Sequence, residues 1–299
     1  MYRRVLDYLQ PYKPGKSIDE IKKQYGLSAV VKLASNENPY GCSKRVKEAL
    51  GHILDIERYP DNNCTELREK LAQKLNVKQS NLIFGNGSAE IIGILSRALL
   101  EVRDEVITCV PTFPIYEAEA LIANAVMIKV PLKNHRFDLN EILNHITDKT
   151  KLIYICNPNN PTGTMITEEE QRAFLDQVPE NIFVVLDEAY YEYVYDKTYP
   201  DSIPLLEQYP NIAILRTFSK AYGLASFRIG YGIAGEEVIN HLEKVRNPFN
   251  TTSISQTAAQ EALEDEAFLT ECVQRNKEVL EDLYQRLDVI RNTIYQITC

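Results

Sequence analysis

Six short apolar runs, at residues 82–84, 106–110, 126–130, 152–156, 182–186 and 212–215, alternate with stretches of helical spacing, and few architectures accommodate that alternation. Between the runs, Ile91, Ile92, Leu95 and Leu99 recur at the helical period, and Thr167-Glu-Glu-Glu170 is a capping-box start for a helix carrying Phe174, Leu175 and Val178. Strands alternating with helices predict an α/β fold with a mostly parallel central sheet and helices covering its faces. In such sheets ligands sit at the carboxyl ends of the strands, so the residues just after each run are the ones to read for function.

The chain has 299 residues, 44% of them apolar, which is enough for one large domain and a smaller one. A net charge of −9 without a long basic run argues against nucleic acid and anionic membrane as partners and favours small-molecule chemistry. The basic start is broken by Asp7, Gln10, Pro11 and Lys13 before it reaches the length of a signal-peptide core or a membrane span, which predicts a cytoplasmic protein. Six scattered cysteines, Cys42, Cys64, Cys109, Cys156, Cys272 and Cys299, form no CxxC pair and read as free thiols, so no metal site is expected. Residues 1–35 read as an N-terminal arm, 36–245 as a large domain, and 246–299 as a helical region with segments near 253–264 and 267–287; no internal repeat is evident.

Four segments after the apolar runs carry polar residues that a core would not select. Gly85-Asn-Gly-Ser-Ala-Glu90 turns into a helix whose first residues, Ser88 and Ala89, present free amides and a positive dipole end suited to a phosphate. Asn157-Pro-Asn-Asn-Pro-Thr-Gly163 is a turn from which Asn160 presents its amide. Asp187 of Asp187-Glu-Ala-Tyr190 ends an apolar strand, where a buried carboxylate needs a cationic partner such as a protonated pyridine nitrogen, with Tyr190 near enough to bond the same ring. Lys220 lies in Thr217-Phe-Ser-Lys-Ala-Tyr-Gly-Leu-Ala-Ser-Phe-Arg228. There Thr217, Ser219 and Arg228 suit an oxyanion, and a partly desolvated lysine offers a neutral, nucleophilic amine. Each segment alone also reads as ordinary turn or surface chemistry, but their order along one sheet points jointly to pyridoxal 5'-phosphate.

With these motifs in place the chain resembles the fold-type I aminotransferases, and within them the histidinol-phosphate aminotransferase family. Pro11-Tyr-Lys-Pro-Gly15, Leu33-Ala-Ser-Asn-Glu-Asn-Pro-Tyr-Gly41, Arg58-Tyr-Pro-Asp61 and Ser219-Lys-Ala-Tyr-Gly-Leu-Ala225 carry the narrower resemblance. It implies an aspartate-aminotransferase-like large domain in which Lys220 bonds the cofactor aldehyde, Asp187 meets the pyridine nitrogen and Asn160 and Tyr190 bond the ring hydroxyl. It further implies that Phe113 of Pro111-Thr-Phe-Pro-Ile-Tyr116 stacks on the ring, and that Ser88, Ala89, Ser219 and Arg228 meet the phosphate. Thr217 adds a hydroxyl there, and Tyr59 reaches it from the other subunit of a homodimer with shared active sites. The implied catalytic residues are Lys220, Asp187 and Tyr190, acting on an amino donor and a keto acceptor in histidine biosynthesis.

The family continues into a small α/β domain whose arginines grip the substrate, and residues 288–299 do not read like it, so an incomplete small domain is expected. Three other readings share the cofactor motifs: an aromatic amino-acid aminotransferase, a threonine-phosphate decarboxylase, and a cofactor-binding remnant without turnover.

Overall fold

The apolar runs become strands at the positions their composition predicts, in a computed structural model that describes residues 1–9, 11, 15–53, 55 and 57–288. Among the described residues one seven-stranded sheet forms, from β1 (Leu82–Gly85), β2 (Glu105–Val110), β3 (Val126–Pro131), β4 (Thr150–Cys156), β5 (Phe183–Asp187), β6 (Ile212–Thr217) and β7 (Gly230–Ala234), in the order β1-β7-β6-β5-β4-β2-β3. The run from β3 through β2, β4 and β5 to β6 is parallel, and β7 alone is antiparallel, to both β1 and β6. The seventh strand carries Gly-Tyr-Gly-Ile-Ala, whose two glycines erase the apolar run that marks the others, although every residue in it is buried.

The α-helices among the described residues are α1 (Ile18–Tyr25), α2 (Lys44–Leu50), α3 (Thr65–Leu75), α4 (Ser88–Leu99), α5 (Ile115–Ile122), α6 (Leu139–Asn144), α7 (Glu168–Leu175), α8 (Glu236–Glu243), α9 (Ser253–Leu263) and α10 (Glu266–Asp288), joined by short 3-10 turns. Helix α4 buries Ile91, Ile92, Ile94 and Leu95 against β1, β6 and β7, while α9 packs on α2 and α3. The capping box of α7 forms in both directions: Glu170 N–H donates to Thr167 Oγ1 at 3.2 Å and Thr167 N–H donates to Glu170 Oε2 at 2.7 Å. Val178 is buried as expected but lies past the end of α7, because Pro179 disfavours helical geometry in the residue before it.

Tyr12, Lys13 and Pro14 of the Pro11–Gly15 motif, and residues 289–299 with Cys299, lie outside the described residues. Among those described, no helix is long and apolar enough to cross a membrane.

Strand direction fixes where chemistry gathers. Val110, Cys156, Asp187, Thr217 and Gly85 end parallel strands at one edge of the sheet, and the antiparallel β7 begins at that same edge, directly after Arg228.

Candidate active site

Asp187, the last residue of β5, is 2% exposed and forms the floor of a cavity of about 390 Å³ at that edge. Burial raises its carboxyl from 3.8 to about 6, opposed by two donors. Tyr116 Oη donates to Oδ2 at 2.6 Å, and the Ala189 N–H donates to Oδ1 at 3.2 Å. Cys156, its cross-strand neighbour on β4, also lines the cavity.

Lys220 lines the same cavity, its Nζ donating to the carbonyls of Ser35 at 3.3 Å and Asn36 at 3.2 Å. Ser35 and Asn36 both have positive φ, 73° and 50°, a left-handed turn that brings the arm's end into the site. Burial first and the Arg228 charge second lower the Lys220 pKa, which favours the neutral amine.

The far end of the cavity is a cradle shaped for an anion. Ser88 and Ala89 open α4, where first-turn amides have no intrahelical acceptor. Gly87 precedes them at φ 73°, and a Cβ there would strike the Arg228 guanidinium. A Cβ on Gly230 would strike Ser88 N and lie 2.8 Å from Gly87 C, so the two glycines let the helix start, β7 and the arginine close on one point. Arg228 Nη1 donates to Ser219 Oγ at 3.3 Å and its carbonyl accepts from Gly87 N–H at 3.0 Å. Thr217 is largely spent on the turn itself, accepting from Ser219 N–H at 3.1 Å and donating to Ile229 O at 3.4 Å.

Of the three asparagines after β4, two hold the loop. Asn157 brackets Ile166 through its amide, and Asn159 bonds Thr112, Pro111 and Thr162. Asn160 is left to line the cavity, with Phe113 and Tyr190. Tyr190 is buried and its hydroxyl accepts from Asn36 Nδ2 at 2.9 Å.

The cavity thus brings together Ser88, Ala89, Phe113, Asn160, Asp187, Tyr190, Thr217, Ser219, Lys220 and Arg228. Tyr59 stands apart from this cavity, 82% exposed and stacked on Phe249 at 4.7 Å. Tyr116, Ser35 and Asn36 were not assigned roles from the sequence. A buried tyrosine at the start of an apolar helix reads as core, and the arm's contacts span more than 150 residues of chain.

The donor set fits pyridoxal 5'-phosphate. A shielded carboxylate waits for a cationic ring nitrogen, an amine of lowered pKa faces the cavity, and the glycine-walled cradle offers amides, a hydroxyl and a guanidinium to a phosphate.

Behind the floor, Glu188 and Arg216 form a buried ion pair, 1% and 5% exposed, with Nη2 2.8 Å from Oε2 and the guanidinium 3.6 Å above the Tyr191 ring. Nearby Glu192 has both carboxyl oxygens shielded and without hydrogen-bond partners among the described residues, and burial raises it from 4.5 to about 8. The folded state therefore holds a proton there that the unfolded chain loses near 4.5. That stability is complete below pH 4.5 and is lost as pH rises toward about 8. Over that window the loss is about 1.4 kcal/mol per pH unit at most. Glu192→Gln should flatten this slope in urea titrations at stepped pH, and an unchanged slope would mean the carboxyl is solvated.

The family model for aminotransferase class I and II matches residues 28–298. A histidinol-phosphate aminotransferase from Geobacillus sp. (strain WCH70) is 52% identical over 278 residues, covering 93% of this chain and 76% of that protein. The crystal structure of histidinol-phosphate aminotransferase from Sinorhizobium meliloti in complex with pyridoxal-5'-phosphate superposes with a TM-score of 0.85 at 28% identity, covering 94% of this chain and 76% of that one. Aspartate aminotransferase from Thermus thermophilus shares the fold, with a TM-score of 0.83 at 24% identity over 97% of this chain and 80% of its own.

Proposed function

This chain belongs to the class I and II aminotransferases, and on that premise we propose that it interconverts histidinol phosphate plus 2-oxoglutarate and imidazole acetol phosphate plus glutamate, in histidine biosynthesis. The observation that carries the reading is the placement of a buried carboxylate, an amine of lowered pKa and an anion cradle in one cavity at the carboxyl edge of the sheet. The name of the 52%-identical relative supports the choice of substrate.

Pyridoxal 5'-phosphate, when bound, supplies an aldehyde that takes amines covalently and a ring that accepts the electron pair left by a departing α proton. The chain's own residues make that sink effective. Asp187 would stabilise a proton on the ring nitrogen, since a buried anion next to a cation favours the charged form of both. Asn160 and Tyr190 would bond the ring hydroxyl, and Phe113 would cover the ring and exclude water. Ser88, Ala89, Ser219 and Arg228, with Thr217 bracing their turn, would hold the phosphate. Lys220 would hold the cofactor aldehyde, and its amine would have to leave the Ser35 and Asn36 carbonyls to do so. Its amine would then be placed to take the substrate's α proton as a general base and give it back, across the nitrogen, as a general acid.

The residue plan extends to a homodimer in the cytoplasm. Tyr59, exposed here, reaches the phosphate of a second copy. Cys42, Cys64, Cys109, Cys156 and Cys272 are all free, in keeping with a reducing compartment. The plan also keeps residues 1–35 as an arm, 36–245 as the cofactor-binding unit and 246–299 as the start of a small domain.

Incubating the protein with pyridoxal 5'-phosphate, histidinol phosphate and 2-oxoglutarate should yield glutamate. Parallel mixtures with an aromatic amino acid and with threonine phosphate should yield little glutamate and no CO₂. Release of CO₂ from threonine phosphate without glutamate from the first mixture would replace the transferase with a decarboxylase.

A further inference from the structure

The geometry points to Tyr116 as a positioning residue of this site: its hydroxyl keeps the Asp187 carboxylate ionised and fixed in orientation toward the cavity. The inference deepens the transferase reading and rests on it for its consequence in turnover, while the contact belongs to the protein alone.

Tyr116 stands in the first turn of α5, fully buried. Its ring stacks on Tyr154 at 4.5 Å with 9° between the planes, and meets Phe113 edge-on at 5.6 Å. Close packing on two sides leaves the ring one orientation, and that orientation sets the hydroxyl 2.6 Å from Asp187 Oδ2. Burial, reinforced by the neighbouring Asp187 charge, holds the phenol far above its ordinary pKa, so it remains a donor throughout the working pH range.

The other groups that bear on Asp187 cannot take its place. Cys156 on β4 is pushed up to about 12 by burial; its thiol donates to Pro158 O at 3.4 Å and also meets Thr112 and the Tyr116 hydroxyl, so it bears on Asp187 through Tyr116. Glu188 is next in the chain, repels the Asp187 charge and is paired with Arg216. Lys220 attracts Asp187 across the cavity, but its amine is the group that must move during turnover. The Ala189 amide holds Oδ1, which leaves Tyr116 as the side chain that fixes Oδ2. One short segment, from Phe113 into α5, thus brings both the ring-covering phenyl and the carboxylate's donor to the site.

Tyr116→Phe removes the hydroxyl and preserves the stacking. Difference infrared titration of the cofactor-free chain, with Asp187→Asn as the blank, reads the carboxyl directly. It needs neither cofactor nor substrate, so it stands whether or not the transferase reading does. The Asp187 midpoint, about 6 in the parent, should move up. A hydrogen bond to a charged group corresponds to a shift of about one to two pH units, or roughly 10- to 100-fold in proton affinity. Tyr154→Phe serves as the control, because that hydroxyl meets Ser96 at 3.4 Å and should leave the midpoint where it is. In the holoenzyme Tyr116→Phe should lower kcat while leaving KM for the amino donor unchanged. Should Tyr116→Phe fail to fold, 3-fluorotyrosine placed at position 116 makes the hydroxyl a stronger donor and should move the midpoint down. A midpoint unmoved by these changes, or moved equally by Tyr154→Phe, overturns the proposal.

Discussion

Lys220→Ala should lower turnover by at least 10²- to 10⁴-fold, roughly the range that a positioned general acid/base contributes by itself. The loss should be far smaller in cofactor affinity than in rate. Ser88, Ala89, Ser219 and Arg228 line the cavity with contacts of their own, Arg228 donating to Ser219 Oγ and accepting from Gly87 N–H at its carbonyl. Equilibrium dialysis of pyridoxal 5'-phosphate beside steady-state rates separates the two effects. Turnover within tenfold of the parent would mean that another base takes the proton. The resting contacts of Nζ with Ser35 and Asn36 have a further consequence: the variant loses one of the ties between the turn after β6 and residues 35–36, so proteolysis near residues 35–36 should quicken.

Asp187→Asn separates function from stability in opposite directions. The carboxyl is raised to about 6 in the free protein, so the folded chain holds a proton that the unfolded chain gives up near 3.8. Its contribution to stability is therefore full below 3.8 and is lost as pH rises through about 6. At pH 7 a neutral amide of the same shape escapes that loss, and thermal unfolding of the cofactor-free variant should show it more stable by about 1–3 kcal/mol. The amide can still accept from Tyr116. Turnover should nevertheless fall by about 10- to 100-fold or more, since a charge-assisted hydrogen bond of about 1.5–3 kcal/mol to the ring nitrogen disappears. Opposite signs in stability and turnover would be the usual trade between stability and activity. Full activity in Asp187→Asn would mean that the ring nitrogen has another partner.

Much of this was legible in the sequence because the cues are local. Six strands announce themselves as apolar runs, and the residues that follow them fall on one edge because parallel strands share a direction. Asp187, Lys220 and Arg228 stand out as charges where a core or a tight turn would not place them. The seventh strand was hidden by Gly230 and Gly232, which lack the side chains that apolar patterning depends on, yet they are what allows β7 to pass Ser88 and Ile83 so closely. The donors to Asp187 and Tyr190 were also hidden. Tyr116 reads as one more buried aromatic, and Asn36 acts across 154 residues of chain, so only packing reveals either role. The Glu188–Arg216 pair escaped notice because each charge alone resembles a surface residue, and only the β5–β6 register sets them side by side.

Lys220 is proposed to carry pyridoxal 5'-phosphate in this cavity. Reducing the cofactor-loaded protein with borohydride, digesting it and sequencing the labelled peptide by mass spectrometry tests that without any substrate. A phosphopyridoxyl group is expected on Lys220, in the peptide that includes Thr217-Phe-Ser-Lys220, and none on that peptide in Lys220→Ala. Label confined to other lysines, or no label at saturating cofactor, would contradict it.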